Sequence, residues 1–122
     1  MAVLHLEDDG PLSDIFRLFF KNSAPNITLY QFSNSTDAIE FIKEHLDEIK
    51  VYILDMRVPG EVDGIGVARK IRELGSKRPI IIMSAFRQPP QEVLNEFDGT
   101  WMSKPSHLLN MMQKIIPLAK AE

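Results

Sequence analysis

Residues 51–60 read VYILDMRVPG. Val51, Tyr52, Ile53 and Leu54 run without a charge into Asp55, and Pro59 and Gly60 close the stretch with turn chemistry. A short apolar run bounded by turn signals fits a strand covered on both faces. A carboxylate at its very end could terminate the strand, bind a metal or act as a nucleophile. The flanking chain has to decide.

That run is one of several. Strands are expected over Ala2–Leu6, Ile27–Phe32, Val51–Leu54, Pro79–Met83 and Thr100–Met102. Several are continuous apolar runs, the pattern of parallel strands buried on both faces. Helical spacing fills the gaps. Pro11 suits a first helical position before Leu12, Ile15, Phe16, Phe19 and Phe20. Asn34 or Ser35 can cap a second helix carrying Ala38, Ile39, Ile42 and Leu46. Ile65, Ala68, Ile71 and Leu74 mark a third, closed by Gly75. A short fourth, opened by Pro89 and Pro90, carries Val93, Leu94 and Phe97. The fifth starts near Ser106 and carries Leu108, Leu109, Met112, Ile115 and Ile116.

Repeated β–α units imply an α/β, doubly wound, five-stranded parallel sheet with five helices on its two faces. Right-handed crossovers prune the topologies, and 2-1-3-4-5 is one of the two common strand orders. At 122 residues and 44% apolar composition, residues 1–122 read as one domain. A net charge of −3 and the lack of a basic stripe argue against direct nucleic-acid binding. With no cysteine there is neither a disulfide framework nor a thiolate metal site. The opening MAVLHLEDDG is too short and too acidic for a signal peptide, and no stretch reaches the roughly 20 apolar residues of a membrane span. The expectation is a cytoplasmic protein without membrane insertion.

In such sheets ligands bind beyond the carboxyl ends of the strands, where the order reverses. Glu7, Asp8 and Asp9 follow the first strand, Asp55 the third, Ser84 and Ala85 the fourth, and Lys104–Pro105 the fifth. Order 2-1-3-4-5 brings these together at one edge. Carboxylates gathered without a counter-ion repel one another, and a hard divalent cation relieves this; Mg²⁺ accepts carboxylates, carbonyls, waters and a phosphate oxygen. Lys104 adds a point charge for a phosphoryl oxygen and Ser84 a hydroxyl donor. An aspartate so placed is equipped to attack phosphorus and form an aspartyl phosphate, a transfer that needs mainly positioning and charge neutralisation.

LEDD after the first strand, LDMRVPG…DG after the third, MSA after the fourth and SKP after the fifth stand in order. With these motifs the chain resembles the receiver domain of two-component response regulators, of the chemotaxis-regulator type, whose fold is flavodoxin-like. The resemblance spans essentially the whole chain. It implies that Asp55 takes a phosphoryl group from a histidine kinase or phosphotransfer protein. It implies that Asp8 and Asp55 ligate Mg²⁺ directly, Glu7 through water, and the Arg57 carbonyl as well. Ser84 and Lys104 would contact the phosphoryl oxygens. Trp101 would stand for the switch aromatic, its ring moving inward when the hydroxyl is drawn to phosphate, and the Lys104–Pro105 bond would be cis. Phosphorylation and dephosphorylation would be self-catalysed steps of a signalling domain, not of an enzyme.

The chain departs from the family pattern in places. RVPGEVDG is one residue longer than usual between the proline and DG, so a small bulge is expected there. Ser84 replaces threonine, Trp101 replaces tyrosine or phenylalanine, and FRQPPQEVLNEFDG shortens the fourth helix. Arg57 and Phe86 would flank the site and hinder the hydrolytic water.

Plainer readings stand beside these. Asp9 suits a helix cap, Ser84 could bond only its own backbone, and Trp101 could simply pack. His5 reads as a satisfied core residue, and His45 and His107 as solvated. Three other functions compete. A phosphatase of the haloacid-dehalogenase type needs a second aspartate two residues after its nucleophile, where Arg57 stands. A flavodoxin-like nucleotide binder needs a Gly/Ser/Thr-rich first loop, not EDDG. A receiver-like interaction module independent of phosphorylation usually lacks an acid or the lysine, and here all are present.

Overall fold

The computed structural model describes residues 1–85, 87–104 and 108–121. Expectations that fall on Phe86, the Lys104–Pro105 bond, Ser106, His107 and the side chains of Leu108 and Leu109 lie outside the described residues. The elements in chain order are β1 (Ala2–Leu6), α1 (Gly10–Ser23), β2 (Thr28–Phe32), α2 (Ser35–His45), β3 (Ile49–Asp55), α3 (Gly64–Glu73), β4 (Ile80–Ser84), α4 (Gln91–Glu96), β5 (Thr100–Ser103) and α5 (Leu108–Lys120). The strands form one sheet in the order β2-β1-β3-β4-β5, and every pairing is parallel.

Side chains alternate across this sheet with period two, which separates two apolar layers. Leu4, Leu6, Tyr52, Leu54, Ile80 and Ile82 face α2, α3 and α4 through Ile39, Ile42, Ala68, Ile71, Leu94 and Phe97. Val3, Val51, Ile53, Ile81 and Met83 face α1 and α5 through Phe16, Phe20, Met111, Met112 and Ile115. Hence β3, between the layers, carries an unbroken apolar run from Val51 to Leu54. The edge strand β2 is only half-buried, and β5 likewise.

β3 begins two residues before the expected Val51. Lys50 interrupts the apolar run in sequence, but Ile49 pairs with Ala2 of β1 and extends the ladder. Helix starts follow cap chemistry. Asp9 accepts from the Leu12 amide at 3.1 Å, Asn34 from Asp37 at 2.9 Å and Asp63 from Gly66 at 2.8 Å. Asp9 therefore has the capping role, and Asn34 rather than Ser35 caps α2. α4 is six residues long and has no side-chain cap. Among the described residues no helix is long and apolar enough to cross a membrane.

Candidate functional site

The parallel register fixes which strand ends meet. Leu6 pairs with Leu54, Asp55 with Met83 and Ser84 with Ser103, so the residues that follow stand side by side. Backbone bonds continue the alignment past the strands: the Met56 amide donates to the Met83 carbonyl at 2.8 Å, and the Lys104 amide to the Ser84 carbonyl at 2.7 Å. Glu7, Asp8, Asp55, Ser84 and Lys104 are brought to one edge as their positions in the chain require.

Lys104 Nζ lies 2.6 Å from Glu7 Oε1 and 3.0 Å from Asp55 Oδ2. Glu7 and Asp55 are buried, 3% and 7% exposed, so these ion pairs sit largely out of water. Glu7 also accepts the Asp9 amide at 3.1 Å, and Asp55 Oδ1 accepts the Arg57 amide at 3.3 Å. The carboxylates thus have Lys104 as a resident counter-ion, in addition to the divalent cation that the sequence leads one to expect. Burial pushes the Glu7 carboxyl up to about 7, opposed by the Lys104 bond and aided by Asp55. Burial pulls Lys104 down, but its bonds to Glu7 and Asp55 prevail and hold it above the ordinary lysine value.

Asp8 is exposed, and one carboxylate oxygen each from Glu7, Asp8 and Asp55 lies within 4.8 Å of the others. With all three ionised and Lys104 charged, two negative charges remain, which suits a divalent cation on hard oxygen ligands. The donor set fits such an ion. A cavity of about 550 Å³ opens beside Asp55, lined by Asp55, Met56, Arg57, Ser84, Ala85, Arg87 and Lys104.

Ser84 and Trp101 meet directly. The indole Nε1–H donates to Ser84 Oγ at 2.8 Å, and the Ser84 hydroxyl donates to the Arg87 carbonyl at 2.6 Å. Trp101 is half-buried against the α2–α4 layer. The hydroxyl and the ring expected to form the switch are thus hydrogen-bonded to each other.

Other features escaped the sequence. Arg87 lines the cavity, and its signal was only its place shortly after a strand end. The long loop after Asp55 is clasped by the start of α2. The Ser35 amide donates to the Pro59 carbonyl at 2.9 Å, Ser35 Oγ accepts the Val62 amide at 3.1 Å, and Thr36 Oγ1 accepts the Glu61 amide at 3.0 Å. Gly60, at φ +122°, takes the turn that lets the loop dock, and a Cβ there would strike Ser35. Gly64 packs so closely that a Cβ would overlap the Asp55 carbonyl oxygen.

The histidine expectations need correction. His5 is buried and stacks on Phe16 at 4.0 Å, and Nδ1 meets Gln31 Nε2 at 3.1 Å. Its Nε2 has no partner among the described residues, so the ring is only half satisfied. Burial, then Lys104, lowers its pKa to about 3. His45 is half-buried rather than solvated, stacked on Phe41 and 3.2 Å from Glu48.

The response regulator receiver domain family model matches residues 3–115. The virulence transcriptional regulatory protein PhoP of Salmonella typhimurium is 25% identical over 122 residues, covering 98% of this chain and 52% of that protein. The cyclic di-GMP phosphodiesterase response regulator RpfG of Xanthomonas campestris is 28% identical over 92 residues, 74% of this chain and 24% of its own length. The chain therefore spans about half the length of PhoP, or less for RpfG. Among solved structures, the CheX–CheY–BeF3–Mg complex from Borrelia burgdorferi aligns with TM-score 0.82 and 21% identity, covering 97% of this chain and 88% of that one. The receiver domain of Francisella response regulator 1452 aligns at 0.81 and 21%, covering 98% and 96%. At these identities the structural likeness speaks for the fold.

Proposed function

We infer a phosphoacceptor role for Asp55 from the family to which the chain belongs, the response regulator receiver domains of two-component signalling. The observation that carries this reading is Lys104 Nζ held between Glu7 and Asp55 at the mouth of a cavity, with Asp55 ending the central strand.

An Asp55 oxygen attacks phosphorus, the bond from phosphorus to the donor's leaving atom breaks, and its electron pair departs with the leaving group. Nothing is oxidised or reduced. Lys104 is in reach of the incoming phosphoryl oxygens because it already touches Asp55. Ser84, across the cavity, supplies a hydroxyl donor once it leaves the Arg87 carbonyl. Mg²⁺, held by Glu7, Asp8, Asp55 and the Arg57 carbonyl, would neutralise charge on the phosphoryl group. The protein donor is a phosphohistidine on a histidine kinase or phosphotransfer protein, and residues 1–122 act as one switch domain whose modification is self-catalysed. Arg57, beside Asp55, hinders the hydrolytic water.

Intact mass after incubation with acetyl phosphate tests the reading. One phosphoryl group is expected, dependent on Mg²⁺ and absent in Asp55→Asn. An adduct that persists in Asp55→Asn would move the acceptor elsewhere, and no adduct from either acetyl phosphate or a phosphohistidine donor would refute it.

A further inference from the structure

The loop that leaves the sheet after Asp55 is fixed at both ends. The Met56 amide donates to the Met83 carbonyl at 2.8 Å, and the Gly64 amide returns to the Met56 carbonyl at 3.0 Å. Among the described residues, the hydrogen bonds that tie residues 58–62 to the rest of the chain all run to the start of α2. Ser35 gives its amide to the Pro59 carbonyl and accepts the Val62 amide, and Thr36 accepts the Glu61 amide. Ser35 is fully buried, and a Cβ on Gly60 would lie 2.4 Å from its Oγ and 2.8 Å from its amide nitrogen. A tie at Pro59 reaches Arg57. The proline ring locks its own φ and restricts the residue before it, Val58, to extended backbone. From the other side, the Arg57 amide is held on Asp55 Oδ1 at 3.3 Å. The Arg57 carbonyl therefore lies on a short, stiff span between two anchors, one on Asp55 and one on α2.

We propose, on the phosphoacceptor reading of Asp55 with the Arg57 carbonyl among its cation ligands, that Ser35 is a positioning residue for the cation site. It touches neither the cation nor a phosphoryl group, and it acts by holding the loop that carries the Arg57 carbonyl. Without the Ser35 hydroxyl the loop tip is freed, and a cation that binds must order the segment itself, which weakens binding. By linkage, a bound cation tightens the clasp of the loop on α2.

The experiment titrates Mg²⁺ alone into the wild type, Ser35→Ala, Gly60→Ala and Asn34→Ala, followed by backbone amide resonances. Ser35→Ala is expected to bind Mg²⁺ roughly two- to tenfold more weakly, the worth of one net hydrogen bond. Gly60→Ala, which pushes the loop off Ser35 from the opposite side, should lose affinity in the same direction. Asn34→Ala removes the cap on the Asp37 amide at the same helix end but no bond to the loop. It should lower the thermal midpoint and leave Mg²⁺ affinity within about twofold of wild type, within the scatter of a single interaction. Unchanged affinity in Ser35→Ala, or an equal loss in Asn34→Ala, overturns the proposal. A second readout needs no variant. Hydrogen exchange at the Glu61 and Val62 amides of the wild type should slow when Mg²⁺ is added, and unaltered exchange at saturating Mg²⁺ also overturns the proposal. A wild type that takes no Mg²⁺ at all overturns the cation reading itself, and the role of Ser35 with it.

Discussion

Glu7 shows how one position can carry two demands. Its carboxyl is buried yet kept beside Asp55, and it stays there because Lys104 and the Asp9 amide bond it. Its folded pKa, near 7, lies above the ordinary 4.5. A raised acid binds a proton in the folded state where the unfolded chain has released it, so its contribution to stability falls as pH rises between these two values. In metal-free buffer, thermal unfolding of the wild type should lose midpoint temperature across that window relative to Glu7→Gln. Parallel pH profiles for the two proteins would contradict this. The place of Glu7 beside Asp55 was legible from LEDD, but its partner was not. The sequence puts Lys104 near several acids, and only the rotamers decide that it bridges Glu7 and Asp55. The Trp101–Ser84 bond was hidden for the same reason: spacing identifies neighbours, whereas hydrogen bonds depend on side-chain direction.

At the scale of elements, the join between β3 and α3 is the least forgiving. The α3 start packs its Gly64 backbone on the Asp55 carbonyl, and the Gly64 amide donates to the Met56 carbonyl at 3.0 Å. Gly64→Ala must push the strand end and helix apart, at a cost of about 1–3 kcal/mol, as for other overpacked sites. Gly10→Ala at the α1 start, where a Cβ meets nothing within 4 Å, should lie within about 0.5 kcal/mol of wild type. Urea denaturation of both variants measures the difference, and equal losses would disprove the packing argument. DG after the third strand was visible in the sequence, and so were the caps at Asp9 and Asn34, because both obey local chemistry. The expected bulge in RVPGEVDG pointed to an irregular loop, but not to its docking on Ser35 and Thr36 of α2. That contact joins residues about 25 positions apart, beyond the reach of any local rule.

Over the whole molecule, the arrangement was legible because two periodicities agreed. Runs buried on both faces alternate with helical stripes, and only a parallel sheet between two helical layers satisfies both. The edges were less clear, since β2 and β5 are half-buried and ambiguous by pattern. Protection should follow this gradient. Amides in β1, β3 and β4 are expected to exchange with deuterium more slowly than those in β2 and β5, because the central strands open only with both layers. Equal exchange across the sheet would mean that the two layers do not cooperate. The lysine bridge has a further meaning at this scale. A cluster of acids that depended on an ion for balance would make assembly wait on ion supply. Lys104 lessens that dependence, because its ammonium balances one of the three carboxylate charges before any cation binds.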